Sequence, residues 1–169
     1  FKGGYTDFIE DFPVNYDYEE LIKVTKVITR NLNKIIDKTT YPVGEAKNSN
    51  NKHRPIGIGV QGLADVFMKM RIPFDSDRAK FLNEKIFETI YFAALTESNE
   101  LAIKKAEKSK KTDLNFLGAY ESFEGSPFSQ GKFQFDLWEQ QPLDIEPKYD
   151  WKNLKESVMT HGTTNSLLL

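Results

Sequence analysis

The chain has 169 residues, 39% of them apolar, which is enough for one domain with a core and too apolar for a disordered segment. Lys and Arg number 23 against 25 Asp and Glu, and the net charge of −2 gives no electrostatic ground for nucleic acid or an anionic membrane as partner. The absence of cysteine excludes disulfides, zinc–thiolate sites and thiol catalysis within these residues, and no apolar run has the length of a membrane span or opens the chain as a signal peptide, so a cytoplasmic setting is expected.

Residues 1–16, aromatic and interrupted by Pro13, read as an irregular lead-in. Asp17, with Glu20 three residues on, is a plausible N-cap. Leu21, Val24, Ile28, Leu32 and Ile35 then recur at helical spacing. That helix should run over about 17–38 and stop before Pro42. Residues 42–55 hold Pro42, Gly44, Asn48, Asn50, Asn51 and Pro55 and read as a polar loop. Ile56, Ile58 and Val60 alternate with Gly57 and Gly59, the pattern of a short strand in which glycine lets another backbone come close. A short helix over 63–70 follows, closed by Pro73.

Asp75 or Ser76 caps the longest helix, about 76–108. Its apolar positions, Leu82, Ile86, Phe87, Ile90, Tyr91, Ala93, Ala94 and Leu101, form a stripe wide enough to bury much of its circumference. Residues 118–131 are turn-like. Phe133, Phe135 and Leu137 alternate as a modest strand signal, and Pro142 and Pro147 bracket a loop. Asp150 caps a short helix to about 160, Gly162 ends it, and residues 165–169 begin a strand. A chain that opens at Phe1 without Met and closes on three leucines reads as an internal segment.

Gly57, Gly59 and Gly62 match the dinucleotide pattern G-x-G-x-x-G, with Asp75 at a tempting distance for a ribose contact. Only Ile56 separates the pattern from His53-Arg54-Pro55, however, so no strand leads into it, and a tightly packed glycine-rich strand is the better reading. His53 and His161 lack metal-ligand spacing; His161, beside Gly162, suits a helix C-terminus. Glu121, Glu124 and Asp136 could pair as acid and base, but nothing fixes their separation. The lysines over 104–111 read as a solvated helix end. Phe8, Phe12, Tyr16 and Tyr18 lack the interleaved basic residues that stacking on single-stranded nucleic acid needs. No catalytic, cofactor-binding or metal-binding residue is therefore assigned.

Six stretches, in one order and covering nearly all of residues 17–169, resemble the large subunit of eukaryotic-type class I ribonucleotide reductases. They are Arg30-Asn31-Leu32-Asn33-Lys34-Ile35-Ile36-Asp37 with Tyr41-Pro42-Val43; the run from His53 through Gly62 to Asp65; and Asn83, Ile86 to Tyr91, Ala94-Leu95 and Glu100-Leu101-Ala102. Next come Tyr120-Glu121, Phe123 to Pro127, Gly131 and Asp136-Leu137-Trp138; then Asp150-Trp151-Lys152 and Leu154-Lys155-Glu156; and last Gly162 with Asn165-Ser166-Leu167-Leu168. Three features depart from the family. Gly44 replaces a usual proline, residues 104–117 look like a lysine-rich surface insertion, and Thr163-Thr164 replaces an apolar–Arg pair.

The resemblance implies an α/β fold: a helix-rich, single-segment piece (1–169) of the ten-stranded reductase barrel. It implies an oxidoreductase that converts ribonucleoside diphosphates to 2′-deoxyribonucleoside diphosphates for DNA replication. A cysteine thiyl radical abstracts the 3′ hydrogen, two further cysteines supply electrons as they form a disulfide, and an asparagine and a glutamate assist; none of these lies in this sequence. It further implies ATP and deoxynucleotide effectors with Mg outside this segment and a small subunit bearing a metal–tyrosyl radical. Implied partners are the rest of the large subunit, a second large subunit and a thioredoxin- or glutaredoxin-type reductant. The loop that holds substrate phosphates normally follows the strand at Asn165. The segment alone is expected to be inactive, and a rival reading makes it a split-gene module that completes a barrel with another chain.

Overall fold

The computed structural model describes residues 16–109, 118–138 and 149–166. The expected lead-in over 1–15, most of the insertion (110–117), the loop around Pro142 and Pro147, and Leu167–Leu169 lie outside them.

Among the described residues five α-helices dominate: α1 Tyr18–Lys38, α2 Gly44–His53, α3 Leu63–Lys69, α4 Asp77–Lys108 and α5 Trp151–His161. The polar caps act as the sequence suggests. Asp17 accepts a hydrogen bond from Glu20 N at 2.9 Å, Ser76 Oγ one from Ala79 N at 3.2 Å and Asp150 one from Asn153 N at 3.0 Å. Gly162, at φ 74°, ends α5.

The spine is α4. Its first half packs through Leu82, Ile86 and Ile90 against Phe67, Met70 and Ile72 around α3. Its second half contributes Ala94 and Leu95 to a second core with Ile36, Phe123, Phe133, Leu154 and Val158. It is buried on nearly every side over its middle turns, as the width of its stripe predicts; Phe87 is the exception and is exposed. Tyr91, Phe133, Phe135 and Trp151 meet mostly edge to face beside it.

Three expectations need correction. Residues 44–53 form α2 rather than a loop. No residue of this helix is buried, so its polar sequence carried no periodic signal; Glu45 in its first turn and Lys52 and His53 in its last suit the helix dipole. Of the strand expected over 56–60, only a bridge at Ile56 forms, and no ladder among the described residues extends it. Gly59 is not tightly packed, because a Cβ there would meet nothing within 4 Å. Phe133, Phe135 and Leu137 do not make a strand either. Gln134–Leu137 is a 3₁₀ turn that Asp136 closes by accepting from Phe133 N at 2.8 Å. The described residues are thus helix-rich and hold no strand.

Helix α1 turns only part of its apolar stripe to the rest of the chain: Leu21 and Leu32 pack against the two cores, whereas Val24, Val27, Ile28 and Ile35 are exposed. The buried positions are Thr25, Thr29, Asn33 and Ile36. Thr29 donates to Thr25 O at 2.9 Å and Asn33 to Thr29 O at 3.0 Å, so two of these polar side chains are satisfied on their own helix before they meet α4.

Candidate functional site

Polar groups buried where α1 approaches α4 form the most developed constellation. Asn33 and Asn165 exchange amide hydrogen bonds, Asn33 Nδ2 to Asn165 Oδ1 at 2.9 Å and Asn165 Nδ2 to Asn33 Oδ1 at 3.1 Å. Ser98 Oγ donates to Asn165 Oδ1 at 2.8 Å and accepts from Asn165 N at 3.1 Å. Arg54 caps the C-terminus of α2 in the left-handed region, at φ 47°. Its carbonyl accepts from Asn165 Nδ2 at 2.8 Å, and its guanidinium reaches Asn33 Oδ1 at 3.1 Å and Asp37 at 2.7 Å. A non-glycine residue holds that backbone conformation only where its surroundings enforce it.

Beside this hub Asn99 Nδ2 donates to Gly162 O at 2.7 Å and Ser157 Oγ to Asn99 Oδ1 at 2.7 Å, tying α4 to α5. Glu97 is buried, with Arg30 Nε 3.2 Å away. Burial pushes its carboxyl above the usual glutamate range, Arg30 opposes this and Glu100 adds to it. On the other side of α4, Lys85 is buried and paired with Glu88 at 2.7 Å, and Glu88 also accepts from Trp151 Nε1 at 3.2 Å. The Tyr91 hydroxyl is pushed up to about 12 by burial, against a hydrogen bond from Gln134 N, with Asp136 raising it further.

The residues singled out in the sequence stay apart. His53 Nδ1 lies 2.6 Å from Ser122 Oγ, while His161 is the last residue of α5. Glu121 and Glu124 are exposed, and Asp136 pairs with Lys155 at 2.6 Å, so they form no acid–base pair. Gly62 is the N-cap of the seven-residue α3, and with no strand leading in the dinucleotide reading fails. Lys104, Lys105 and Lys108 lie in the last turns of α4. Thr163 and Thr164 are both buried; Thr163 Oγ1 donates to Asn165 O at 2.8 Å, whereas Thr164 Oγ1 has no partner among the described residues. No group of three or more His, Cys, Asp or Glu among the described residues could hold a metal ion, and no described helix is long and apolar enough to cross a membrane.

The hub escaped the sequence reading because its members are far apart in the chain. Asn33 and Asn165 both fall in the stretches that carry the family resemblance, and that was their only signal.

A family model described as ribonucleotide reductase, barrel domain, matches residues 6–169. The ribonucleoside-diphosphate reductase large subunit of Caenorhabditis elegans is 54% identical over 154 residues, 91% of this chain and 18% of that protein. The large subunit of Plasmodium falciparum is 50% identical over 163 residues, 96% and 18% of the two chains. That of Dictyostelium discoideum is 53% identical over 169 residues, 99% and 17%. The chain thus spans about 18% of the length of the first two of these relatives.

Proposed function

The chain belongs to the ribonucleotide reductase barrel-domain family, and from that membership we propose that it is a wall segment of the large subunit of a ribonucleoside-diphosphate reductase. The observation that carries this reading is identity of about half, sustained over nine-tenths or more of the chain, to large subunits of distant organisms. The whole subunit would reduce ribonucleoside diphosphates to 2′-deoxyribonucleoside diphosphates in the cytoplasm, within an α/β barrel.

This segment contributes no reacting group. Two-electron reduction at C2′ with loss of water needs a thiol pair that becomes a disulfide, and the sequence has no cysteine. The thiols, the radical cysteine and their helper asparagine and glutamate belong elsewhere in the subunit. The sites for ATP, deoxynucleotide effectors and Mg would likewise belong to other segments of the subunit. What these residues supply is a buried polar hub at Asn165; the family resemblance would place the loop that holds the substrate phosphates after it. The working assembly would pair two large subunits with a small subunit carrying the metal–tyrosyl radical and take electrons from a thioredoxin- or glutaredoxin-type protein.

The test is reduction of ribonucleoside diphosphates by the full-length polypeptide that contains these residues, mixed with its small subunit and a dithiol reductant. Deoxynucleotide should form, and the 169-residue chain alone should form none. Failure of the full-length protein with every diphosphate and effector tried would sink the reading.

A further inference from the structure

Helix α1 has two working sides. Toward α4 it buries Thr25, Thr29 and Asn33, and there Lys26 pairs with Glu100 at 2.6 Å and Arg30 with Glu97 at 3.2 Å. The other side carries Val24, Val27, Ile28 and Ile35, all exposed, and among the described residues nothing covers them. From Val24 to Ile35 the helix rises about 16 Å, a stretch of three turns interrupted only by Asn31. The two ends of this face are charged, with opposite sign. Asp17 and Glu20 stand at its start and Lys34 and Lys38 at its end, all four exposed. Glu20 meets only Lys23 at 3.5 Å, and neither Lys34 nor Lys38 has an ion-pair partner among the described residues.

We propose that in the 169-residue chain this face is a contact between two copies, α1 lying antiparallel against α1 of the second copy. The positions 17, 20, 24, 27, 28, 31, 35 and 38 recur three and four apart, as helix pairing requires, and the set is symmetric about the bond between Val27 and Ile28. A two-fold axis there brings Val27 and Ile28 of both copies together and sets Val24 beside Asn31 of the second copy. Glu20 then lies beside Ile35 and its neighbour Lys34, and Asp17 beside Lys38. Each end meets opposite charge, and the two helix dipoles oppose one another. A parallel pair would set Asp17 and Glu20 against their own counterparts, and Lys34 and Lys38 against theirs, so like charge fixes the direction. The contact is small beside a standard interface of about 800 Å² per partner, so the dimer should dissociate on dilution. The inference does not rest on the reductase reading.

The sequence contains no cysteine, so introduced thiols can react only with one another. Glu20→Cys and Ile35→Cys are made as separate chains. In the antiparallel pair the two copies of either position lie about 22 Å apart along the helices, beyond disulfide reach, whereas position 20 of one chain lies beside position 35 of the other. Under mild oxidation the mixture should therefore give at least about fivefold more linked dimer than either variant alone. Glu124→Cys, exposed and outside α1, sets the background from random collision. Either variant alone linking as well as the mixture would mean another direction of pairing and overturn the proposal. A mixture no better than Glu124→Cys would overturn it as well, since α1 would then meet no second copy. The charged ends give a second reading that needs no cysteine. At low salt the double variant Lys34→Glu, Lys38→Glu should weaken self-association about tenfold in sedimentation, and mixing it with Glu20→Lys should recover much of the loss. Association indifferent to the reversed charges would contradict the antiparallel pair, and this reading decides if a cysteine variant does not fold.

Discussion

Gly118 sits with its Cα against the main chain of α4. A Cβ there would lie 1.7 Å from the Ala102 carbonyl oxygen, an atom that cannot move without breaking the helix. Gly118→Ala should destabilise the 169-residue chain by at least about 3 kcal/mol, the upper part of the usual overpacking range. Gly59→Ala, at a position with open space, should change stability by no more than about 0.5 kcal/mol. Urea unfolding of both variants at low concentration checks the contrast, and equal losses would contradict it. Glu97 makes a prediction in pH. Burial raises its carboxyl above the usual glutamate range, so the folded state holds that proton more tightly than the unfolded state does. Stability must then fall as pH rises from about 4.5 through the folded pKa, with the full penalty present above it. Glu97→Gln removes the penalty, while Arg30, about half exposed, can return to water. The contribution of Glu100 has the opposite sign, because Lys26 and Lys104 outweigh its burial, but it is present in both proteins and cancels in the difference. The melting temperature of Glu97→Gln relative to wild type should therefore climb across that window and level off. Parallel curves from about pH 4 to 8 would rule this out.

At the scale of elements, Gly44 is the first residue of α2, preceded by Val43 in extended conformation and facing open space. Proline is favoured there, since its ring presets the helical φ and the missing N–H has no partner within the helix. Gly44→Pro should stabilise the chain by about 0.4–1 kcal/mol by restricting the unfolded state; a loss in urea unfolding would show that the start of α2 is not as described. The same helix marks the limit of sequence reading. Helices α1, α3, α4 and α5 were legible to within a residue or two from capping residues and apolar spacing. Helix α2 was not, because Asn48, Ser49, Asn50 and Asn51 read as turn residues and none of its side chains is buried. The strands expected over 56–60 and 133–137 failed for another reason: alternation marks a segment able to pair, but pairing needs a neighbour, and among the described residues Ile56 alone is in a bridge. Helix α1 was placed correctly and its faces were not. Spacing located the apolar stripe but could not tell that Thr25, Thr29 and Asn33, rather than Val24 and Ile28, would meet α4. The hub at Asn165 was illegible because an amide pair leaves no local pattern.

At the scale of the whole molecule, that inversion of α1 has a cost in water. Val24, Val27, Ile28 and Ile35 line one side of the helix, and Met68, Phe74 and Trp138 are also largely exposed. Scattered apolar side chains are ordinary on a surface, but a stripe several turns long tends to be covered. Within a whole barrel subunit neighbouring segments would cover it. Among the described residues nothing covers it, and the 169-residue chain by itself should self-associate through it. Sedimentation should give a weight-average mass that rises with concentration. The double variant Val24→Lys, Ile28→Glu should shift that rise to higher concentration while changing the unfolding free energy by no more than about 0.5 kcal/mol per site, because neither side chain packs in the described core. In the full-length subunit the same double variant should be strongly destabilising, since it would place two charges in a dry contact. A chain that stays monomeric at every concentration would mean that the stripe is tolerated by water as it stands. A full-length subunit indifferent to the two charges would mean that nothing in the barrel covers it.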